Sequence, residues 1–185
     1  MIDRLRVDPT SVRFGLGTSL GGSSHISISM VAKSAGIDAR KLRFAVFKSG
    51  GAAALALLGG HVDVVASSAN NYVMHVEAGK MRILGVAAPQ RLSQGFANAP
   101  TWREQGIEAV FENWRGIYGP YGLRREQVAY WENVFAKLVE TDEWKQELNH
   151  NLSVSTFMRQ KEMMVFLQAN YRQLSEILSD LGYAK

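Results

Sequence analysis

Gly15-Leu16-Gly17-Thr18-Ser19-Leu20-Gly21-Gly22-Ser23-Ser24-His25 joins an apolar, strand-like run to a helical one, and this junction decides the fold class. Glycines let the backbone turn sharply and approach a ligand closely. The first N–H groups of the following helix, with its dipole, favour a carboxylate or phosphate there. Serine and threonine hydroxyls add neutral donors. A Walker loop would need Lys-Ser/Thr after its second glycine, where this chain has Ser23, Ser24 and His25. The spacing Gly15, Gly17, Gly21 misses the dinucleotide fingerprint by one residue, and no acidic residue ends the next strand to hold a ribose. The loop therefore suits a small anion; its plainer reading is a flexible strand-to-helix connection.

Outward from this loop the same device repeats. Strand Val12–Leu16 leads through the loop to a helix over Ser24–Ser34, stopped at Ala35-Gly36. Strand Leu42–Phe47 leads through Lys48-Ser49-Gly50-Gly51 to helix Ala52–Leu58, which ends at Gly59-Gly60. Strand Val62–Ala66 leads through Ser67-Ser68-Ala69-Asn70-Asn71 to helix Tyr72–Ala78, closed by Gly79-Lys80, and strand Met81–Ala87 follows. Alternating strands and helices predict an α/β fold with a mostly parallel sheet. Ligands of open α/β sheets bind outside the carboxyl ends of the strands. The candidate ligand residues are thus Ser19, Gly21, Gly22, Ser23, Ser24 and His25 of the first loop, Lys48, Ser49 and Gly50 of the second, and Ser67, Ser68 and Asn70 of the third.

Past Pro89 the texture changes. An irregular stretch over Gln90–Glu112 leads to Asn113-Trp114-Arg115-Gly116-Ile117-Tyr118-Gly119-Pro120, which reads as a strand with Trp114 in the core and Arg115 on the other face. The rest is helical. Val128, Trp131, Val134, Phe135 and Leu138 share one helix face, and Met163, Phe166, Leu167, Leu174, Ile177, Leu178 and Leu181 share another; both stripes read as core.

With 185 residues, 46% of them hydrophobic, the chain is long enough for one well-cored domain, or for two lobes of which one is small. It contains no apolar run of the ~20 residues that span a bilayer, and its start, Met1-Ile2-Asp3-Arg4, carries no signal-like region, so it reads as a soluble chain. The absence of cysteine excludes disulfides, thiolate metal sites and cysteine nucleophiles. The net charge of +4 is dispersed in small basic pairs such as Arg4/Arg6 and Arg124/Arg125, with no stripe for nucleic acid. Among the histidines only His61, with Asp63, is read as pairing with a nearby carboxylate at ligand spacing, and a zinc site needs three or four ligands, so His61 reads as a turn residue and no metal or cofactor is expected. Ser23 and Ser24 lack the Gly-x-Ser-x-Gly elbow of a hydrolase. His25 either contacts ligand or covers the helix start, and Lys48 either neutralises an anion or ends its strand in solvent.

Taken in order, Phe14-Gly15 with Gly21-Gly22-Ser23-Ser24-His25, Phe47-Lys48-Ser49-Gly50-Gly51, Leu57-Leu58-Gly59-Gly60-His61-Val62-Asp63, Glu77-Ala78-Gly79-Lys80-Met81-Arg82 and Asn113-Trp114-Arg115-Gly116 resemble the periplasmic solute receptors of tripartite tricarboxylate transporters, the Bug proteins. The resemblance runs from about Leu5 to Lys185. It implies a periplasmic-binding-protein-like, type II Venus-flytrap fold that closes on a small carboxylate through backbone amides, hydroxyls and water, without catalysis. By the same resemblance residues 5–88 form the second lobe, and residues 89–185 return to the first lobe with C-terminal helices. Membrane transporter subunits are the implied partners and the periplasm the implied location. The first lobe's N-terminal strand, its ligand loop and the signal peptide have no counterpart, so the chain reads as truncated, with half its cleft missing and a homodimer through the C-terminal half as the expected cover. Phe47-Lys48-Ser49-Gly50-Gly51 stands where the family has Tyr-Lys-Gly-Gly-Gly, and Pro120-Tyr121-Gly122-Leu123 departs from its usual proline turn. The competing reading of the same loops is a cytosolic α/β effector-sensing or phosphate-handling protein, or an enzyme; it would need a catalytic acid/base pair, and none is evident.

Overall fold

The computed structural model describes residues 1–92 and 94–183. Ser93, within the irregular stretch, and Ala184 and Lys185, at the end of the return segment, lie outside the described residues. The chain forms two compact units: Met1–Asn113 together with the chain from Leu174 onward, and Trp114–Gln173.

The first unit is built on three parallel strands, β1 (Arg13–Leu16), β2 (Arg43–Val46) and β3 (Val64–Ala66), in the order β2-β1-β3. Parallel neighbours need crossover helices, and the chain supplies α2 (Ser23–Ser34) and α3 (Gly50–Leu58) in addition to α1 (Ile2–Val7) and α4 (Val73–Glu77). Phe14 and Leu16 of β1 point to one face, where they pack with Leu5 of α1, with Ile28, Val31 and Ala32 of α2, and with Trp102 and Ile107. Each such fully buried Leu or Phe contributes about 1.5–3 kcal/mol. The intervening Gly15 faces the other way, and a Cβ there would lie 2.9 Å from Val65 Cγ1. Helix α3 packs on β1 and β3; its buried residues are all alanine, so it lies close to the sheet.

Local signals end these helices as expected. Gly36, Gly60 and Gly79 adopt φ of +75°, +72° and +66°, and the N–H groups of Ile37, His61 and Lys80 donate back to the carbonyls of Ala32, Ala56 and His75. This is the left-handed helix stop that glycine permits without steric cost. His61 thus serves the turn.

Two expected strands are not formed. Over Met81–Ala87 only Val86 makes a bridge, parallel to Thr101, because its N–H and C=O meet Pro100 and Trp102 and not β3, while the carbonyls of Leu84 and Ala87 accept from the Gln105 side chain and the Phe111 N–H. The aromatic segment Trp114–Tyr118 pairs with no strand among the described residues. Instead the Trp114 indole N–H donates to Asn170 Oδ1 at 3.1 Å, and its ring stands edge-on to Phe166.

The second unit comprises α5 (Arg125–Leu138), α6 (Asp142–His150) and most of α7 (Gln160–Asp180). Thr141 caps α6 by accepting from the Trp144 N–H, and Gln127 Oε1 accepts from the Arg124 N–H at the start of α5. The apolar stripe of α5 is not core. None of residues 114–173 is buried, and Trp131 and Leu138 are 52% and 40% exposed. Of the second stripe Ile177 is fully buried, in the part of α7 that belongs to the first unit. There Lys33 of α2 holds Glu176 and Asp180 at 2.6 and 2.7 Å.

At the amino end of the sheet Asp63 accepts from Arg13 three times, from its backbone N–H and from Nε and Nη2 of its guanidinium, while the Asp63 N–H donates to the Arg13 carbonyl. These hydrogen bonds hold the Asp63 carboxyl down at about 2, against an ordinary 3.8. A depressed folded pKa stabilises the fold above the unfolded value, and the contribution is lost as pH falls through the folded one. Asp63→Asn is therefore expected to be less stable than the parent at neutral pH, with the gap closing between about pH 4 and about pH 2. Chemical denaturation across that range checks it, and a gap that persists at the acid end would show that the pairing is not its source.

Candidate functional site

The three loops that follow β1, β2 and β3 lie at the carboxyl edge of one parallel sheet, and they touch. A Cβ on Gly17 would sit 2.6 Å from Gly50 Cα and 2.7 Å from Gly50 N, so the first and second loops meet backbone to backbone. A Cβ on Gly50 would sit 2.8 Å from Ser67 Oγ and 2.9 Å from Asn71 Nδ2, so the third loop closes on the second. Asn71 Nδ2 donates to Ser67 Oγ at 2.7 Å, and Asn113 Nδ2 donates to Ser68 Oγ at 3.2 Å. Glycine is required at 17, where the close approach is to backbone; at 50 the crowding comes from the side-chain ends of Ser67 and Asn71.

The helix starts at this edge differ in how their donors are met. Ser49 adopts an extended conformation and its Oγ accepts from the Ala52 N–H at 3.1 Å, capping α3. This serine therefore has a structural task. Gly22 precedes α2 with no side-chain cap and no acidic residue in the first turn. Of α2 and α3, the positive end of α2 is thus the more open to an anion.

The residues singled out in the sequence divide by exposure. Ser19, Lys48, Ser49, Ser68 and Asn70 are exposed, Gly21, Gly22, Ser23, Gly50 and Ser67 are partly buried, and Ser24 and His25 are buried. His25 lies beneath its loop: its Nδ1 accepts from the Gly21 N–H at 2.9 Å, and burial lowers its pKa below the ordinary 6.5. Asn71 and Tyr72 join the edge without having been singled out. The hint for Asn71 was its place in a Ser/Asn run, but an amide that bonds within its own loop and lies against Gly50 of the second is not distinguishable in sequence from a solvated one. Burial pushes the Tyr72 phenol up to about 12; its hydroxyl lies beside Ser67 outside hydrogen-bond geometry. Among the described residues no group of three or more His, Cys, Asp or Glu is placed to hold a metal, and no helix is long and apolar enough to cross a membrane.

Comparison with known proteins agrees with this fold. The family model described as tripartite tricarboxylate transporter family receptor matches residues 1–183. A TctC solute binding protein from Polaromonas is 25% identical with a TM-score of 0.70, over 92% of this chain and 57% of that one. An R. palustris protein solved with adipate is 19% identical with a TM-score of 0.77, over 99% and 60%. The periplasmic binding protein BugD is 17% identical with a TM-score of 0.71, over 100% and 61%. The chain thus spans about three-fifths of the length of these relatives, of which the Polaromonas protein is a solute-binding protein and BugD a periplasmic binding protein. No curated protein matches the chain. The α/β fold, the order of its loops and the match over nearly all its residues together show that the chain belongs to the tripartite tricarboxylate transporter receptor family.

Proposed function

We propose that the chain supplies one wall of a cleft that binds a small carboxylate and delivers it to the membrane subunits of a tripartite tricarboxylate transporter in the periplasm. The observation that carries this reading is the convergence of three polar loops beside the uncapped start of α2. A carboxylate there meets the N–H groups and hydroxyls of Ser23 and Ser24, the positive end of the helix dipole, and the exposed Ser19, Ser68 and Asn70. Lys48, exposed at the same edge, adds attraction at longer range. The adipate held by the R. palustris relative makes dicarboxylates the first class to try. In this reading residues 5–88 form the second ligand-binding lobe and residues 89–185 the return to the first lobe. A second copy of the chain covers the apolar side chains that the helices of residues 114–173 leave exposed.

Calorimetry with adipate and with citrate tests the site. Saturating ligand at 100 times its dissociation constant is expected to add about 2.7 kcal/mol to stability. Ser24→Asp brings a negative charge to the helix start and is expected to weaken carboxylate binding by about tenfold or more, which is ~1.4 kcal/mol. Undiminished binding in a folded Ser24→Asp protein removes this loop from the site.

A further inference from the structure

Phe44 on β2 and Tyr183 after α7 both meet the ring of His25 edge-on, at centroid distances of 4.5 and 5.7 Å. The ring is 2% exposed, and Nδ1 accepts the Gly21 N–H at 2.9 Å. Gly21 is the left-handed residue of the loop, with φ of +77°, and the next N–H, of Gly22, closes the turn onto the Ser19 carbonyl at 3.0 Å. We propose that His25 is a positioning residue for the Gly/Ser loop, holding Gly21 in its turn while the ring is neutral and releasing it when the ring gains a proton.

The reason is one of donors and acceptors. An imidazole that accepts at Nδ1 carries its single proton on Nε2, so a second proton must go to Nδ1. It would then point at the Gly21 N–H from hydrogen-bond distance, donor against donor. The bond and the protonated ring exclude each other, and the loop must open for the ring to charge. Among the described residues, the groups around the ring offer a proton no counter-ion. β2 presents Phe44 between the exposed Arg43 and, beyond the strand end, Lys48. The end of α7 presents Tyr183, while its carboxylates Glu176 and Asp180 are both engaged by Lys33. The loop itself, Gly17–Gly22, has no titratable side chain. Burial alone accounts for the lowered pKa of His25. With the folded pKa below 6.5, the open loop takes up the proton more readily than the closed one. The closed loop is therefore fully stable above the ordinary value, and loses stability as pH falls through it. That a carboxylate meets this loop rests on the receptor reading above; the brace itself does not.

The deciding measurement needs no ligand. Hydrogen exchange of the Gly21 amide is followed by NMR on the intact chain from about pH 8 to about pH 5, with the titration of the His25 ring recorded in the same samples. The expected result is a fall in the Gly21 protection factor of about tenfold or more that tracks protonation of the ring. His25→Gln offers an amide oxygen to the same N–H without titrating, and is expected to keep Gly21 protected across the range. A ring that charges while Gly21 protection stays constant overturns the proposal; so does a ring that stays neutral throughout, or the same pH-dependent loss in a folded His25→Gln. Adipate titrations at both ends of the range separate the two readings. Adipate that binds the parent more weakly as the ring charges, but His25→Gln equally at both ends, carries the brace through to the ligand. If adipate binds at neither pH, the receptor reading fails while the exchange result still decides the brace.

Discussion

Gly17→Ala is expected to destabilise the first unit by about 2–3 kcal/mol, the upper part of the range for forcing extra carbon into a packed site. The reason lies in what the new methyl would strike. Its nearest neighbours are Gly50 Cα at 2.6 Å and Gly50 N at 2.7 Å, which are backbone atoms at the start of α3 and cannot turn aside as a side-chain tip would. Either the first loop or α3 must move, and the second loop is itself closed on Ser67 and Asn71. The effect should appear as a lower denaturant midpoint at unchanged slope, since the mutation alters the native state and not the surface exposed on unfolding. Gly51→Ala is the control of opposite sign. A Cβ there meets nothing nearer than Ser49 Oγ at 3.8 Å, and position 51 lies inside α3, so alanine should stabilise the chain by about 0.5–1 kcal/mol. Two neighbouring glycines with opposite responses would locate the contact between the loops at residues 17 and 50. Equal responses would mean that the loops are further apart than the structure has them. Carboxylate binding in Gly17→Ala should fall further than stability alone dictates, because the displaced loop carries the candidate donors.

The chain is expected to self-associate in solution through residues 114–173, and Tyr130→Lys together with Trp131→Lys should restore a monomer. Helices in globular proteins owe most of their stability to a buried apolar face. The helices over these residues bury no side chain completely, while Tyr130 and Trp131 are 63% and 52% exposed. On the part of α7 in this unit Val165 and Tyr171 are 67% and 74% exposed, and Ile117 and Tyr118 are exposed on the unpaired aromatic segment. The Tyr130 and Trp131 rings meet edge-on at 5.4 Å, and Trp131 stacks on Phe135 at 6.0 Å, so these three rings of α5 form a cluster and not scattered points. Contiguous apolar surface of this kind marks an interaction site. Both replaced residues are more than half exposed, so lysine there costs little within one chain but places charge in the interface between two. Sedimentation over a wide range of concentration reads the outcome. A parent chain that stays monomeric throughout, with amides of α5 as protected as those of α2, would show that no second copy is needed and would sink this prediction.

How much of this could be foreseen turns on the range of the forces involved. The repeating βα units, the polar loops at one sheet edge and the glycine stops at 36, 60 and 79 were legible because each depends on a few adjacent residues: a strand-like run, a Gly/Ser loop, a left-handed turn. The match to a receptor family was legible for the same reason, since its signature pieces are local. Met81–Ala87 and Trp114–Tyr118 have the composition of strands, but a strand exists only when a neighbour offers its hydrogen bonds, and here the first meets a turn and the second meets Asn170 and Phe166 through its tryptophan. The stripe on α5 marks an apolar face but cannot say whether anything covers it, which leaves Trp131 half exposed. His25 shows the same division within one residue. Its place at the start of a helix could be read from the chain, whereas the hydrogen bond that ties its ring to Gly21 depends on Phe44 and Tyr183 closing over it, from positions 19 residues downstream and near the end of the chain.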